Sequence, residues 1–186
     1  RTRSSLRGGS TGSTVAPMLA DKGHRVVMLE KAHHPRFHIG ESLLPANLPL
    51  FERMGIAEEV KAIGMLKPGA EFVSPNHDMS SVFCFAEAWD KSMPYAYQVR
   101  RDQFDTVLIR NAAKKGVEVH EGCKAKAVEF LPDNTVLVRA VHDDGSESEW
   151  HARFLVDASG RDTFLANRFQ IKHRNPKHNS SAIYGH

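Results

Sequence analysis

An α/β fold carrying a dinucleotide-binding unit is predicted by three features of the chain. Gly8, Gly9 and Gly12 form a glycine cluster that leads into a helical stretch. The apolar run 25–29 follows that helix and ends on Glu30, and a later apolar run, 154–156, ends in the small-residue turn Asp157-Ala-Ser-Gly160. Buried strands that deliver tight turns at their C-terminal ends are the parts from which an open parallel sheet builds a ligand crevice. At 186 residues, 41% hydrophobic and 25% charged, the chain is long enough for one domain with a core, or for one domain plus part of another.

Residues 1–6 stand where the first strand belongs, although they are polar and charged where the fold calls for a β-branched apolar run. Aligned as Gly-x-Gly-x-x-Gly on Gly9 and Gly12, the next segment has Arg7 in the first glycine position. Glycines belong there because a Cβ would obstruct both the turn and the approach of a diphosphate. A helix over 13–22 would aim its N-terminal N–H groups at that anion, and Gly23 suits the left-handed residue that closes a helix. Glu30, at the end of the strand that follows, is placed to accept hydrogen bonds from an adenosine ribose. An ordinary turn before a helix is the alternative reading of the glycines; the carboxylate closing a clean strand favours the nucleotide site.

Residues 31–40 form a loop rich in His, Pro and Lys that leads into Glu41-Ser-Leu-Leu-Pro45. Pro45 suits a first helical turn, and Leu48, Phe51, Met54, Ile56, Val60 and Ile63 recur at helical spacing with a break at Gly55. Short apolar pieces at 71–73, 81–85 and 95–99, separated by turn residues, predict an inserted antiparallel layer. A second helix spans 102–115, with Phe104, Val107, Leu108 and Ala112 on one side and Gly116 as its stop. A parallel strand at 117–120 and a β-meander of 124–131, 134–142 and 149–156 complete the order. This divides the chain into a discontinuous cofactor domain, 1–68 and 100–170, and part of a substrate-binding β layer, 69–99 and 171–186. With no closing element after it, the order reads as incomplete, a portion of a longer protein.

The formal charge of +3 is small and the basic residues are interleaved with acids, so no nucleic-acid footprint is present. Cys84 and Cys123 lie far apart and form no Cys-x-x-Cys or Cys/His pair, which indicates neither a disulfide framework nor a metal site. No apolar run approaches the roughly 20 residues of a membrane span and no signal-peptide pattern is visible, so a cytoplasmic protein is expected. Trp89 and Trp150 are isolated and read as packing residues.

With these pieces in order, the chain resembles the flavin-dependent halogenase and FAD-dependent monooxygenase superfamily, whose FAD domain has the Rossmann-like, glutathione-reductase-type fold. The resemblance rests on the glycine turn with Glu30, on Pro35-Arg-Phe-His-Ile-Gly-Glu-Ser-Leu-Leu-Pro45, on Val99-Arg-Arg-Asp-Gln-Phe-Asp105 and on Phe154-Leu-Val-Asp-Ala-Ser-Gly-Arg161. It implies FAD as cofactor, with Gly8, Gly9 and Gly12 at the diphosphate and Glu30 on the ribose. Arg101 and Asp157 would hold FAD from other sides, while Arg36 and the Gly40, Glu41 and Ser42 backbone would lie near the flavin. His38, in the same loop, is unexceptional among eleven histidines. Read from the residues alone, Arg101 is a surface salt-bridge residue and Asp157 an N-cap, and Glu41 or Ser42 can cap the helix that follows. Lys67, in Lys-Pro-Gly-Ala-Glu-Phe72, resembles the lysine with which such halogenases bind or carry hypohalous acid; the bland reading is a solvent-facing lysine in a turn. The implied activity is halogenation of a small, possibly carrier-bound, organic substrate with reduced FAD and oxygen, the electrons coming from NAD(P)H or a flavin reductase. A hydroxylase or prenyl-type reductase on the same fold, or a degenerate non-catalytic piece, are the alternatives.

Overall fold

The computed structural model describes residues 2–6, 9–74, 76–173, 175–178, 181 and 183. In chain order the elements are β1 (Thr2–Leu6), α1 (Ser10–Ala20), β2 (Arg25–Leu29), α2 (Leu48–Met54), α3 (Ala57–Ile63), β3 (Gly64–Lys67), β4 (Gly69–Ser74) and β5 (Met79–Cys84). They continue with β6 (Ala96–Val99), α4 (Arg101–Lys114), β7 (Glu118–His120), β8 (Cys123–Phe130), β9 (Val136–His142), β10 (Glu147–Asp157) and α5 (Phe164–Arg168).

Six strands form the main sheet in the order β7-β2-β1-β10-β9-β8. β7, β2, β1 and β10 are mutually parallel, and β10, β9 and β8 form the antiparallel meander. The polar segment that departs from the strand pattern is therefore the central strand: β1 pairs with β2 from Thr2↔Arg25 to Leu6↔Leu29, and its Leu6 also partners Asp157 of β10. Its strand state follows from main-chain pairing on both sides, which overrides side-chain preference. Arg7 and Gly8 lie outside the described residues.

β2 is apolar without alternation because both of its faces are covered. Val26 and Met28 pack with Ala16 of α1 and with Ile109 and Ala112 of α4. Val27 and Leu29 pack on the other side with Cys123, Val128, Val136 and Val138 of the meander. Each such fully buried side chain contributes on the order of 1.5–3 kcal/mol. A separate cluster of Phe51, Met54, Ile56, Val60, Tyr97, Phe104 and Leu108 joins α2, α3 and β6 to α4. Gly55, at φ +72°, separates α2 from α3, as the spacing predicts.

Three expectations are corrected. α1 begins at Ser10 rather than at residue 13. The inserted layer is two separate two-stranded sheets, β3-β6 and β4-β5, because the helical spacing ends at Ile63 and Gly64 starts a strand of its own. At Gly64 a Cβ would stand 2.9 Å from both the Tyr97 ring and the Val60 carbonyl oxygen, so only a glycine lets β3 lie this close to β6. Trp89 is fully exposed rather than packed, whereas Trp150 does pack, 5.4 Å from the His120 ring.

Candidate dinucleotide site

The C-terminal ends of β1, β2 and β10 open into one cleft of about 550 Å³. Gly9, Ser10 and Thr11 line it from the start of α1, Glu30 from the end of β2, Arg36 and His38 from the loop after it, Arg101 from α4, and 158–162 from the turn after β10. α1 begins with no side-chain cap at Gly9 and no acidic residue in its first turn. The partial positive charge of its first N–H groups therefore meets no local carboxylate, which suits an anion at this position. Gly12 is buried in that first turn.

Glu30 is 1% exposed. Its main chain is fixed between neighbouring strands, its N–H donating to the His120 carbonyl at 2.8 Å and its carbonyl accepting from the Cys123 N–H at 2.9 Å. Oε1 accepts from the Ala32 N–H at 2.8 Å, and Oε2 is buried with no hydrogen-bond partner among the described residues. A buried carboxylate oxygen left unpaired is costly, and the hydroxyl of a bound ribose is the kind of donor that would satisfy it. The residues present thus fit a dinucleotide.

Arg101 is 8% exposed, and most of its donors go to protein. Nε and Nη2 each donate to Asp105 at 3.0 Å, and Nη1 donates to the carbonyls of Ile39 at 2.7 Å and Gly40 at 3.3 Å. This buried pair replaces the surface salt bridge that the residues alone allow, and it straps the loop to α4. Gly40 sits at φ +92°, where a Cβ would be 3.2 Å from Arg101 Nη1, so both its conformation and its neighbour require glycine. Arg36 Nη2 lies 3.5 Å from Asp105 Oδ2. His38 is exposed, with Nδ1 2.7 Å from the Ile39 carbonyl oxygen.

Asp157 is not among the residues lining the cleft. One of its oxygens accepts from the Ser159 N–H at 2.9 Å and the other from the Leu165 N–H at 2.8 Å, while Ser159 Oγ accepts from the Phe164 N–H at 2.8 Å. These bonds shape the 158–162 turn that forms one wall. Across the cleft, Lys31 pairs with Asp162 at 3.2 Å. A smaller, mainly apolar pocket opens beside this pair, between Leu29, Cys123, Ala125 and Phe164.

Glu41, Ser42 and Leu43 run antiparallel to β6: Glu41 O accepts from the Val99 N–H at 2.9 Å, the Leu43 N–H donates to Tyr97 O at 3.0 Å, and Ser42 bridges Gln98. Lys67 closes β3 rather than standing in a turn, and Nζ donates to Ser42 Oγ at 2.5 Å and to the Leu43 carbonyl at 2.6 Å. It lies 5.5 Å from the centre of the Phe85 ring, and desolvation pulls its pKa below the usual lysine range. The loop through Ile39 and Gly40 therefore touches the cleft by way of Arg101 and touches Lys67 by way of Ser42.

The sequence reading passes over Asp105, Lys31, Ser159 and Asp162. Asp105 carries a usable signal, since Arg101 and Asp105 are four residues apart on a helix, the spacing at which opposite charges meet. The other three depend on how the turn after β10 folds back on β2, and no local pattern marks that.

Residues 8–183 match the FAD binding domain family, and the chain belongs to it. FAD is therefore the dinucleotide that this fold binds. The chain is 36% identical over 189 residues to a flavin-dependent halogenase of Armillaria mellea, an alignment covering 97% of this chain and 36% of that protein. It is 32% identical over 196 residues to the 1H-pyrrole-2-carbonyl-[peptidyl-carrier protein] chlorinase of Pseudomonas fluorescens, covering 96% of this chain and 43% of that one. Among solved structures it resembles the myxobacterial chondrochloren halogenase with a TM-score of 0.79 and 40% identity, covering 87% of this chain and 38% of the other. The chain thus corresponds to the FAD-binding portion of flavin-dependent halogenases and spans little more than a third of their length. Among the described residues, no helix is long and apolar enough to cross a membrane.

Proposed function

We propose that this chain serves a flavin-dependent halogenase that modifies a small organic substrate, with FAD bound in the cleft at the ends of β1, β2 and β10. The start of α1 and Arg36 would hold the diphosphate, and Glu30 Oε2 would accept from the ribose. The apolar pocket beside Leu29 and Phe164 offers a place for the adenine ring. Arg101 would act through the loop it straps, keeping Ile39 and Gly40 in place, and Asp157 through the turn it folds. When bound and reduced, FAD supplies the activation of oxygen that oxidises halide to an electrophilic halogen.

Lys67 is the residue assigned to halogen transfer. The observation that carries this reading is its pair of hydrogen bonds to Ser42 and Leu43, which joins two stretches far apart in sequence beside the cofactor loop. Those bonds fix an ammonium of lowered pKa over an aromatic face, a position from which Nζ can donate to the oxygen of hypohalous acid and direct it. The two small sheets, β3-β6 and β4-β5, lie outside the main sheet, and Phe72, Val73, Met79 and Val82 of the second are exposed. That apolar surface supports the assignment of β4-β5 to a substrate layer, 69–99 and 171–186, distinct from the cofactor domain of 1–68 and 100–170, within which β3 falls. A carrier-bound substrate is in keeping with the chlorinase named above. We assign electron supply to NAD(P)H acting directly or through a flavin reductase, and location to the cytoplasm.

The test is to supply the intact protein with reduced FAD, oxygen, bromide and a panel of electron-rich aromatic and pyrrolic substrates. Brominated product that depends on bromide is expected. Hydroxylated product with no halide dependence would return the assignment to a hydroxylase.

A further inference from the structure

We propose that Asp105 is a positioning residue for the cofactor: it fixes the Arg36 guanidinium beside the glycine turn, where that arginine meets the diphosphate of FAD. The inference rests on the cofactor reading above and assigns a role to a buried acid that this reading leaves unused. Asp105 is 0% exposed on α4. A buried carboxylate needs only one well-placed cation to be satisfied, and Arg101 already grips both of its oxygens at 3.0 Å. Asp105 nevertheless serves a second guanidinium, since its Oδ2 lies 3.5 Å from Arg36 Nη2.

The two arginines divide the work. Arg101 turns its remaining edge to the carbonyls of Ile39 and Gly40, so it faces protein. Arg36 keeps a side chain that is 20% exposed, and it lines the cleft. Its Nη2 stands 3.9 Å from the position a Cβ would take on Gly9. One nitrogen therefore looks at Asp105 on one side and at the start of α1 on the other. Two guanidinium groups against one carboxylate leave positive charge in excess beside a helix terminus whose first turn contains no acid. A diphosphate is the group on FAD that this charge suits. Without Asp105, the long Arg36 side chain loses the contact that holds it there and must be ordered by the ligand itself, which weakens binding.

The experiment measures affinity for FAD and for riboflavin, which has no phosphate, in the intact protein and in Asp105→Asn, Arg36→Gln and the double variant. Asp105→Asn is expected to weaken FAD by about tenfold or more, the loss of a charge-assisted contact, and riboflavin by distinctly less, the smaller loss being that of the Arg101 strap on Ile39 and Gly40. In the Arg36→Gln background it is expected to cost FAD affinity distinctly less, only what the loosened Arg101 strap accounts for. An equal loss for riboflavin, an equal cost in both backgrounds, or unchanged FAD affinity would each overturn the proposal. Should Asp105→Asn not fold, Asp105→Glu, which keeps the charge and displaces it by one carbon, is held to the same criteria. A wild-type protein that binds no FAD sinks the cofactor reading and this proposal together; FAD binding that ignores Asp105 sinks this proposal alone.

Discussion

Lys67→Ala is expected to abolish halogenated product, lowering its rate of formation by about 10²–10⁴-fold, while leaving FAD affinity unchanged. Nζ is held by Ser42 Oγ and the Leu43 carbonyl, and neither of those residues lines the dinucleotide cleft. Arginine should not rescue the variant, because a planar guanidinium cannot make the same compact pair of bonds. The pH dependence has a definite sign. Desolvation lowers the Lys67 pKa, so the ammonium loses its proton at a lower pH than an ordinary lysine, and halogenation that needs Nζ as a donor falls off on the alkaline side below the usual lysine range. Product analysis by mass spectrometry, paired with FAD titration of the same preparation, checks both parts. Undiminished halogenation by Lys67→Ala would remove the lysine from the mechanism.

Glu30→Gln is expected to move cofactor affinity and apo-protein stability in opposite directions. The amide keeps the shape and can still accept from the Ala32 N–H, but it places a donor where Oε2 now waits for one. Losing a hydrogen bond to a charged acceptor weakens FAD binding by about 1.5–3 kcal/mol, roughly 10- to 150-fold. The same change removes an incompletely paired buried charge, so the protein without FAD should melt no lower than wild type. A residue with only a packing role would not separate the two effects. Flavin-fluorescence titration and thermal melting of apo protein read them independently.

What the sequence revealed divides along physical lines. β2 with Glu30, α4 and the meander were legible because their apolar spacing reflects the faces they bury. β1 was legible only from its place before the glycine turn, since a central strand held by main-chain bonds on both edges tolerates side chains that argue against it. β3 was hidden because it follows directly on the helical spacing that ends at Ile63, and its tight approach to Tyr97 belongs to the tertiary structure. At the site, Glu30 and the glycines read from the sequence as contacts to a ribose and a diphosphate, and the cleft gathers Gly9, Glu30, Arg36 and Arg101. Whether an acid at a strand end turns to a ligand or back to its own turn is decided by loop geometry. Asp157 turns back, to the Ser159 and Leu165 amides. The bonds from Lys67 to Ser42 and Leu43 could not be read in advance, because they join the end of β3 to the 41–43 segment only after both have paired with β6.

The central claim is that FAD occupies the cleft formed by the start of α1, Glu30 and the turn after β10. Titration of the purified intact protein with FAD, followed by flavin fluorescence and repeated with ADP present, tests it most directly. Saturable binding that ADP competes away is the predicted result; a protein that takes up no FAD, or takes it up with no competition from ADP, would contradict it.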